Sequence, residues 1–261
     1  MARGKYLQYF PEVFNEAIEE QNEHIEDYRE NGLPGNAGYY YELLADGFRD
    51  IAIGEIVLNE NVVKSKQSFY LAGKMQEVLY RNYDLKKNDI TGDCVNANKY
   101  TSLLMALISD NESLINSLAV LFGGRTKEEE EDHEFNKAVG YALKYILLGE
   151  MENAKEYIAE LKRLENRKDM KYYDGYSKVL DGILEKDVQQ VNESLIYMIQ
   201  CHKKLKDEYG DTPQELLSIP VLGLAKLAIR NGIEVNIDDI LTPSELLDSH
   251  KINYPVVDFV D

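Results

Sequence analysis

The sequence predicts an all-α fold, either an irregular αα-hairpin (TPR-like) array or a multi-helix bundle, with a central apolar helix late in the chain. Three observations carry that prediction. Apolar residues recur at helical spacing along nearly all of the 261 residues, between capping and breaking residues. A helical-hairpin unit recurs in mid-chain. No segment has the length and alternation of a strand able to build a sheet.

Pro11 is read as the opening of the first helix, which runs through Asn31 with Val13, Ala17, Ile18, Ile25 and Tyr28 near helical spacing and is closed by Gly32. Its other face carries Glu12, Glu16, Glu19, Glu20, Glu23, Glu26, Asp27 and Glu30, against only Arg29. The loop from Gly32 through Pro34 to Gly38 is the first strong breaker. Residues 39–58 and 64–83 read as the second and third helices, the latter with Phe69, Ala72, Met75, Val78 and Leu79 on one face. A polar stretch, Asp84 to Asp93, follows.

From there the chain repeats itself. Leu107-Ile108-Ser109-Asp110 precedes a helix with Leu114 and Leu118 inward, Leu147-Leu148-Gly149-Glu150 one with Ala154 and Ile158, and Leu184-Glu185-Lys186-Asp187 one with Val191 and Leu195. The acids that close these turns lie 40 and 37 positions apart, within the range of helical-hairpin repeats, roughly 34–47 residues. Ser109 with Glu112, and Asp187 with Gln190, read as capping boxes. The tetratricopeptide signature itself is missing, since there is no Trp and no Leu-Gly-x-x-Tyr pattern.

In the last quarter, Thr212-Pro213-Gln214-Glu215 and Thr242-Pro243-Ser244-Glu245 are predicted helix starts. Between them, Val221, Leu222, Leu224, Ala225, Leu227, Ala228 and Ile229 are apolar almost all round, which places the helix from Pro220 to Asn231 at the centre. The tail from Ile252 is predicted to be extended, with Pro255 discouraging a helix. No composition shift marks a boundary. The chain is therefore expected to be one domain, with N-terminal helices (1–93), hairpin repeats (94–208) and a C-terminal buried helix and tail (209–261).

Composition narrows function. With 44% hydrophobic and 29% charged residues the chain is an ordinary globular one, long enough to bury roughly 70–75% of its unfolded surface. Its formal net charge of −18 argues against nucleic acid or an anionic membrane as partner and permits a basic one. Cys94 and Cys201 lie in apolar helical patterns and read as free buried thiols, suited to a reducing cytosol. The N-terminus leads into no apolar signal region, and the most apolar stretch, Val221 to Ile229, is interrupted by Lys226 and is too short to span a bilayer. A cytoplasmic protein is expected.

Catalytic and metal signals are weak. Glu130-Glu131-Asp132-His133 is the single Glu-x-x-His spacing, whereas a di-iron bundle needs two plus further acids. No zinc spacing of Cys or His occurs, and His24, His133, His202 and His250 are read as surface residues on separate segments. Phe122-Gly123-Gly124-Arg125-Thr126-Lys127 lacks phosphate-loop spacing and reads as a glycine helix stop with an exposed loop. No catalytic residue and no cofactor is expected.

Two features could bind a partner. Acidic side chains cluster on the first helix, with Glu19 and Glu23 at its middle, and again at Glu128, Glu129, Glu130, Glu131 and Asp132, where they would steer a basic partner into contact. The 19 tyrosines include clusters at Tyr39-Tyr40-Tyr41 and at Tyr172, Tyr173 and Tyr176, residues suited both to interfaces and to cores.

Three segments resemble the bacterial immunity protein 49 family of polymorphic toxin systems. They are the run from Ala138 to Ala154, the unit from Ile183 to His202, and the late helix from Leu222 to Gly232 with the polar turn and short proline-started helix after it. The likeness extends over residues 50–250. It implies a non-enzymatic cytoplasmic antidote that neutralises a cognate toxin by stoichiometric binding, with no catalytic residues to carry over. A helical-repeat adaptor that binds a peptide or protein is the alternative, and an enzyme with a spatially assembled site the third.

Overall fold

Twelve α-helices and four short 3-10 turns make up 70% of the chain in the computed structural model, which describes residues 3–260. Among the described residues there is no strand, only an isolated antiparallel bridge between Asp239 and Thr242. The fold is all-α, as the periodicity predicts.

The first helix, α1 (Arg3–Asn31), begins before Pro11 and runs through it. Tyr6, Phe10 and Phe14 explain the difference. They recur every four residues, all three are buried, and α1 packs against α2 (Ala37–Val57). Burial of aromatic rings on this scale overrides the single amide that an exposed proline removes. The helices α2 and α3 (Val62–Asp84) pack on each other and are capped by asparagines. Asn36 Oδ1 accepts from the Tyr39 amide at 3.0 Å and Asn61 Oδ1 from the Lys64 amide at 3.1 Å.

The turns marked by the sequence join α4 (Thr101–Ser109) to α5 (Glu112–Leu121), α6 (Glu134–Leu148) to α7 (Met151–Glu165), and α8 (Tyr176–Glu185) to α9 (Val188–His202). Each turn is made by one left-handed residue, Asp110 (φ 62°), Gly149 (φ 76°) or Lys186 (φ 57°). Leu114, Leu118, Ala154, Ile158, Val191 and Leu195 all point inward. Asp187 caps α9 through Gln190, but α5 is capped by Asn111 (Oδ1 to the Leu114 amide, 2.9 Å) and not by Ser109. The Ser109 hydroxyl instead donates back to the Ala106 carbonyl within α4.

Two short helices, α10 (Lys206–Tyr209) and α12 (Ser244–Leu247), flank α11 (Ile219–Arg230). Neither Thr212 nor Thr242 caps a helix. Both hydroxyls donate to a carbonyl three residues back, and the proline after Thr212 opens one 3-10 turn only. The late apolar helix is internal, with Val221 to Ala228 buried without interruption. It lies so close to α4 that a Cβ on Gly223 would meet Leu104 Cβ at 2.6 Å. The buried side chains form one continuous cluster from Tyr6 to Phe259.

Charge enters this core near the turn between α4 and α5. Lys66 of α3, with a fully buried side chain, and Lys226 of α11, nearly so, both reach Asp110. Lys66 Nζ lies 2.5 Å from Oδ2 and Lys226 Nζ 2.5 Å from Oδ1. The ammonium protons left over go to backbone carbonyls at the end of α12, from Lys66 to Asp248 (2.5 Å) and from Lys226 to Leu247 (3.0 Å). Burial pushes the Lys66 pKa below its ordinary value, against the Asp110 bond that holds it up.

Two outcomes follow for urea unfolding. Asp110→Asn leaves two ammonium groups in the interior without a counter-charge and is expected to remove about 3–5 kcal/mol. Leu224→Ala and Leu227→Ala, each at a fully buried site, are expected to remove about 2–5 kcal/mol apiece. Midpoints equal to the parent's would contradict the central place given to Asp110 and α11.

Candidate functional site

The acidic run at Glu128 to Asp132 is partly internal, with Glu129 buried and Glu128 and Asp132 half-buried. Glu129 is 2% exposed and accepts from the Arg125 amide (2.9 Å) and the Tyr141 hydroxyl (2.8 Å). Lys137 Nζ stands 3.8 Å away. Glu128 accepts from the Tyr83 hydroxyl at 2.5 Å, which lowers its pKa. Asp132 accepts from the Ala97 amide and the Asn98 side chain, both at 2.7 Å, while burial raises its pKa. Glu130 and Glu131 alone in this run are exposed.

The glycine loop ahead of it is likewise not an exposed loop at Arg125. That guanidinium is buried, forks onto Asp84 (Nε–Oδ1 2.9 Å, Nη2–Oδ2 2.7 Å) and lies 4.7 Å from the centroid of the Tyr80 ring. Gly123 (φ 71°) and Gly124 (φ 83°) supply the left-handed backbone that brings it inward. Loop and acidic run together tie residues 122–132 to the end of α3. A signal existed in the sequence: an arginine and five acids within one short segment can neutralise one another, as well as face solvent.

The acids of α1 stand differently. Glu12, Glu16, Glu19, Glu20, Glu23, Glu26, Asp27 and Glu30 are all exposed. At 100° per residue they fall in one strip about 120° wide, opposite the buried Phe10, Phe14 and Gln21. Among the described residues the one ion pair on α1 joins Arg29 to Asp258 (2.9 Å). Like charges four apart (Glu12–Glu16, Glu16–Glu20, Glu19–Glu23, Glu26–Glu30) each destabilise a helix by roughly 0.2–0.5 kcal/mol. Tertiary anchoring holds this helix together against its own charge.

The remaining candidates resolve individually. His24 is half-buried, His133 and His250 are exposed, but His202 is buried, contrary to the surface reading. Its ring stacks on Tyr209 at 4.2 Å and its Nε2 lies 3.0 Å from the Gln214 carbonyl, so aromatic packing offsets the cost of burying imidazole. Tyr40 and Tyr41 belong to the core while Tyr39 is exposed. Cys94 and Cys201 are free and buried. Among the described residues no group of three or more His, Cys, Asp or Glu is placed to hold a metal ion, and no helix is long and apolar enough to cross a membrane.

With this geometry in view, a family model described as immunity protein 49 matches residues 96–246, more than half of the chain. The chain belongs to the immunity protein 49 family. No curated protein and no solved structure matches it. The immunity protein 49 match covers the three hairpins, α11 and most of α12, including the Glu128 to Asp132 run. It leaves out α1 to α3, and with them Glu19, Glu23 and the whole acidic strip.

The two acidic groups should therefore respond differently to neutralisation. Glu129→Gln keeps the shape but weakens bonds to a buried hydroxyl and amide, and is expected to lower stability by about 1–3 kcal/mol. Glu130→Gln with Glu131→Gln should stay within about 0.5 kcal/mol of the parent. Chemical denaturation of both variants measures this, and equal effects would mean that the run is not internal.

Proposed function

We propose that the protein neutralises a cognate bacterial toxin by stoichiometric binding, and that the acidic strip of α1 captures a basic toxin domain. On this reading it acts in the cytoplasm, needs no cofactor and performs no catalysis. Glu19 and Glu23 stand at the middle of the capturing face, with Glu130 and Glu131 as further exposed acids, while Glu128, Glu129 and Asp132 serve the fold.

The observation that carries the reading is the strip itself, in a chain that belongs to an immunity protein family. Eight exposed acids in one line set up a repulsion that a basic surface relieves. Such a face raises the rate of encounter steeply at low salt and contributes less to how long the complex lasts. The net charge of −18 adds long-range attraction of the same sign.

The test is association with any toxin domain found encoded beside this gene, at low and moderate salt. Replacing Glu16, Glu19, Glu20 and Glu23 with Gln is expected to slow association about tenfold at low salt and to flatten its salt dependence, with dissociation changed less than about twofold. Unchanged association would remove α1 from the interface. A toxin that failed to bind the parent protein at all would remove the neutralisation reading.

A further inference from the structure

A groove of about 220 Å³ lies between α1 and α2 at one edge of the acidic strip. Glu16 and Glu20 of α1 line one side of it and Asp46 and Asp50 of α2 the other, over the half-buried Ala17 and Leu43. That space would hold several waters, at roughly 30 Å³ each, and admits one long side chain. The two helices run antiparallel here, since Gly54 lies against Phe14 and Gly47 against Gln21. Asp50, one turn from Gly47, is therefore only roughly 4.5 Å from the level of Gln21 along the helix axis.

Two acceptors of this groove lack a donor. Gln21, another lining residue, is 3% exposed. Its Nε2 donates to the Leu44 carbonyl at 2.7 Å, but its Oε1 has no hydrogen-bond partner. A buried acceptor left so is costly. The side chain fits there because residue 47 is glycine, where a Cβ would meet Gln21 Nε2 at 2.2 Å. Asp50 gives one oxygen to Arg49 (Nε–Oδ1 3.0 Å), and among the described residues nothing bonds its other oxygen. Arg49 also pairs with Asp46 (Nη1–Oδ1 2.5 Å) but does not line the groove. Four carboxylates are thus set against one guanidinium. Burial raises the Asp50 pKa against the pull of that ion pair.

We propose that this groove receives an arginine side chain of the basic partner, its stem on Ala17 and Leu43 and its guanidinium donating to Asp50 and to Gln21 Oε1. Among the described residues no three acids converge as a metal ion requires, so a point charge finds no centre here. A lysine ammonium is a compact, strongly hydrated charge, whereas a guanidinium is planar, weakly hydrated and spreads five donors. An uncharged side chain of the same shape would leave the excess of carboxylates unmatched. The inference rests on the proposed toxin-binding function and adds an anchor to it. The exposed acids of the strip govern encounter, and the half-buried Asp50 with the buried Gln21 governs how long the complex lasts.

The experiment is an NMR titration of the full chain with N-acetyl-L-arginine amide, following the Gln21 side-chain amide and the His24 ring, which both line the groove. Saturable shifts are expected, with a dissociation constant on the order of millimolar for a single side chain. Asp50→Asn, in which Arg49 keeps Asp46, should weaken binding about tenfold, and Gln21→Met about fivefold, by loss of the charge partner and of the acceptor. Glu16→Gln with Glu20→Gln, at the exposed rim, should change it less than about twofold. If Gln21→Met fails to fold, Asp50→Asn and the rim pair decide. Four results would each overturn the proposal: no saturable shift, equal binding of N-acetyl-L-citrulline amide or N-acetyl-L-lysine amide, binding untouched by Asp50→Asn, or a rim pair that weakens it as much as Asp50→Asn does. No toxin enters this titration. A failure here overturns the arginine site alone, and a failure to bind any toxin overturns the proposed function alone.

Discussion

Asp110 holds one negative charge between two buried ammonium groups, and four distant parts of the chain meet there. Lys66 comes from α3, Asp110 from the turn between α4 and α5, Lys226 from α11, and the carbonyls of Leu247 and Asp248 from the end of α12. Two positive charges against one leave an excess that carbonyl dipoles at a helix end must balance. The carboxylate reaches this place because Asp110 adopts a left-handed backbone, which Asp tolerates better than most residues. Such a cluster adds little net stability compared with apolar packing, but losing one member strands the others in the interior. It therefore constrains how α3, α4 and α11 assemble. The acidic helix α1 in turn packs on α2, which packs on α3.

The same charge type is used in two ways. Net charge alone suggests an acid-rich surface, yet Glu129, Asp132 and Asp110 hold the fold together by accepting hydrogen bonds from amides, hydroxyls and ammonium groups. The acids of α1 have no such partners apart from Asp27, which accepts from Asn31, and face outward in a single strip. The first kind holds the structure together and the second is left facing solvent.

Sequence reading recovered what depends on local periodicity. The buried faces of α3, α5, α7, α9 and α11 and the left-handed hairpin turns were legible because 3.6-residue spacing and turn chemistry are written in neighbouring residues. Where it went astray, contacts far along the chain decided the matter. Pro11 sits inside α1 because Phe10 and Phe14 are anchored on α2. Asn111, not Ser109, caps α5 because Asp110 swings out of the helix to meet two lysines. Glu129 is buried because Arg125 and Tyr141 enclose it, and His202 because Tyr209 covers its ring. The acidic strip of α1 was legible because, among the described residues, only Asn31 bonds to one of its acids.

The proposed function requires that the acidic strip of α1 face the partner while the Asp110 cluster stays internal. Hydrogen–deuterium exchange of the protein with and without its proposed toxin partner tests this most directly. The account predicts slowed exchange along residues 12–30 on binding, with the amides around Asp110 slow in both states. Protection confined to other surfaces, with α1 exchanging as in the free protein, would contradict it.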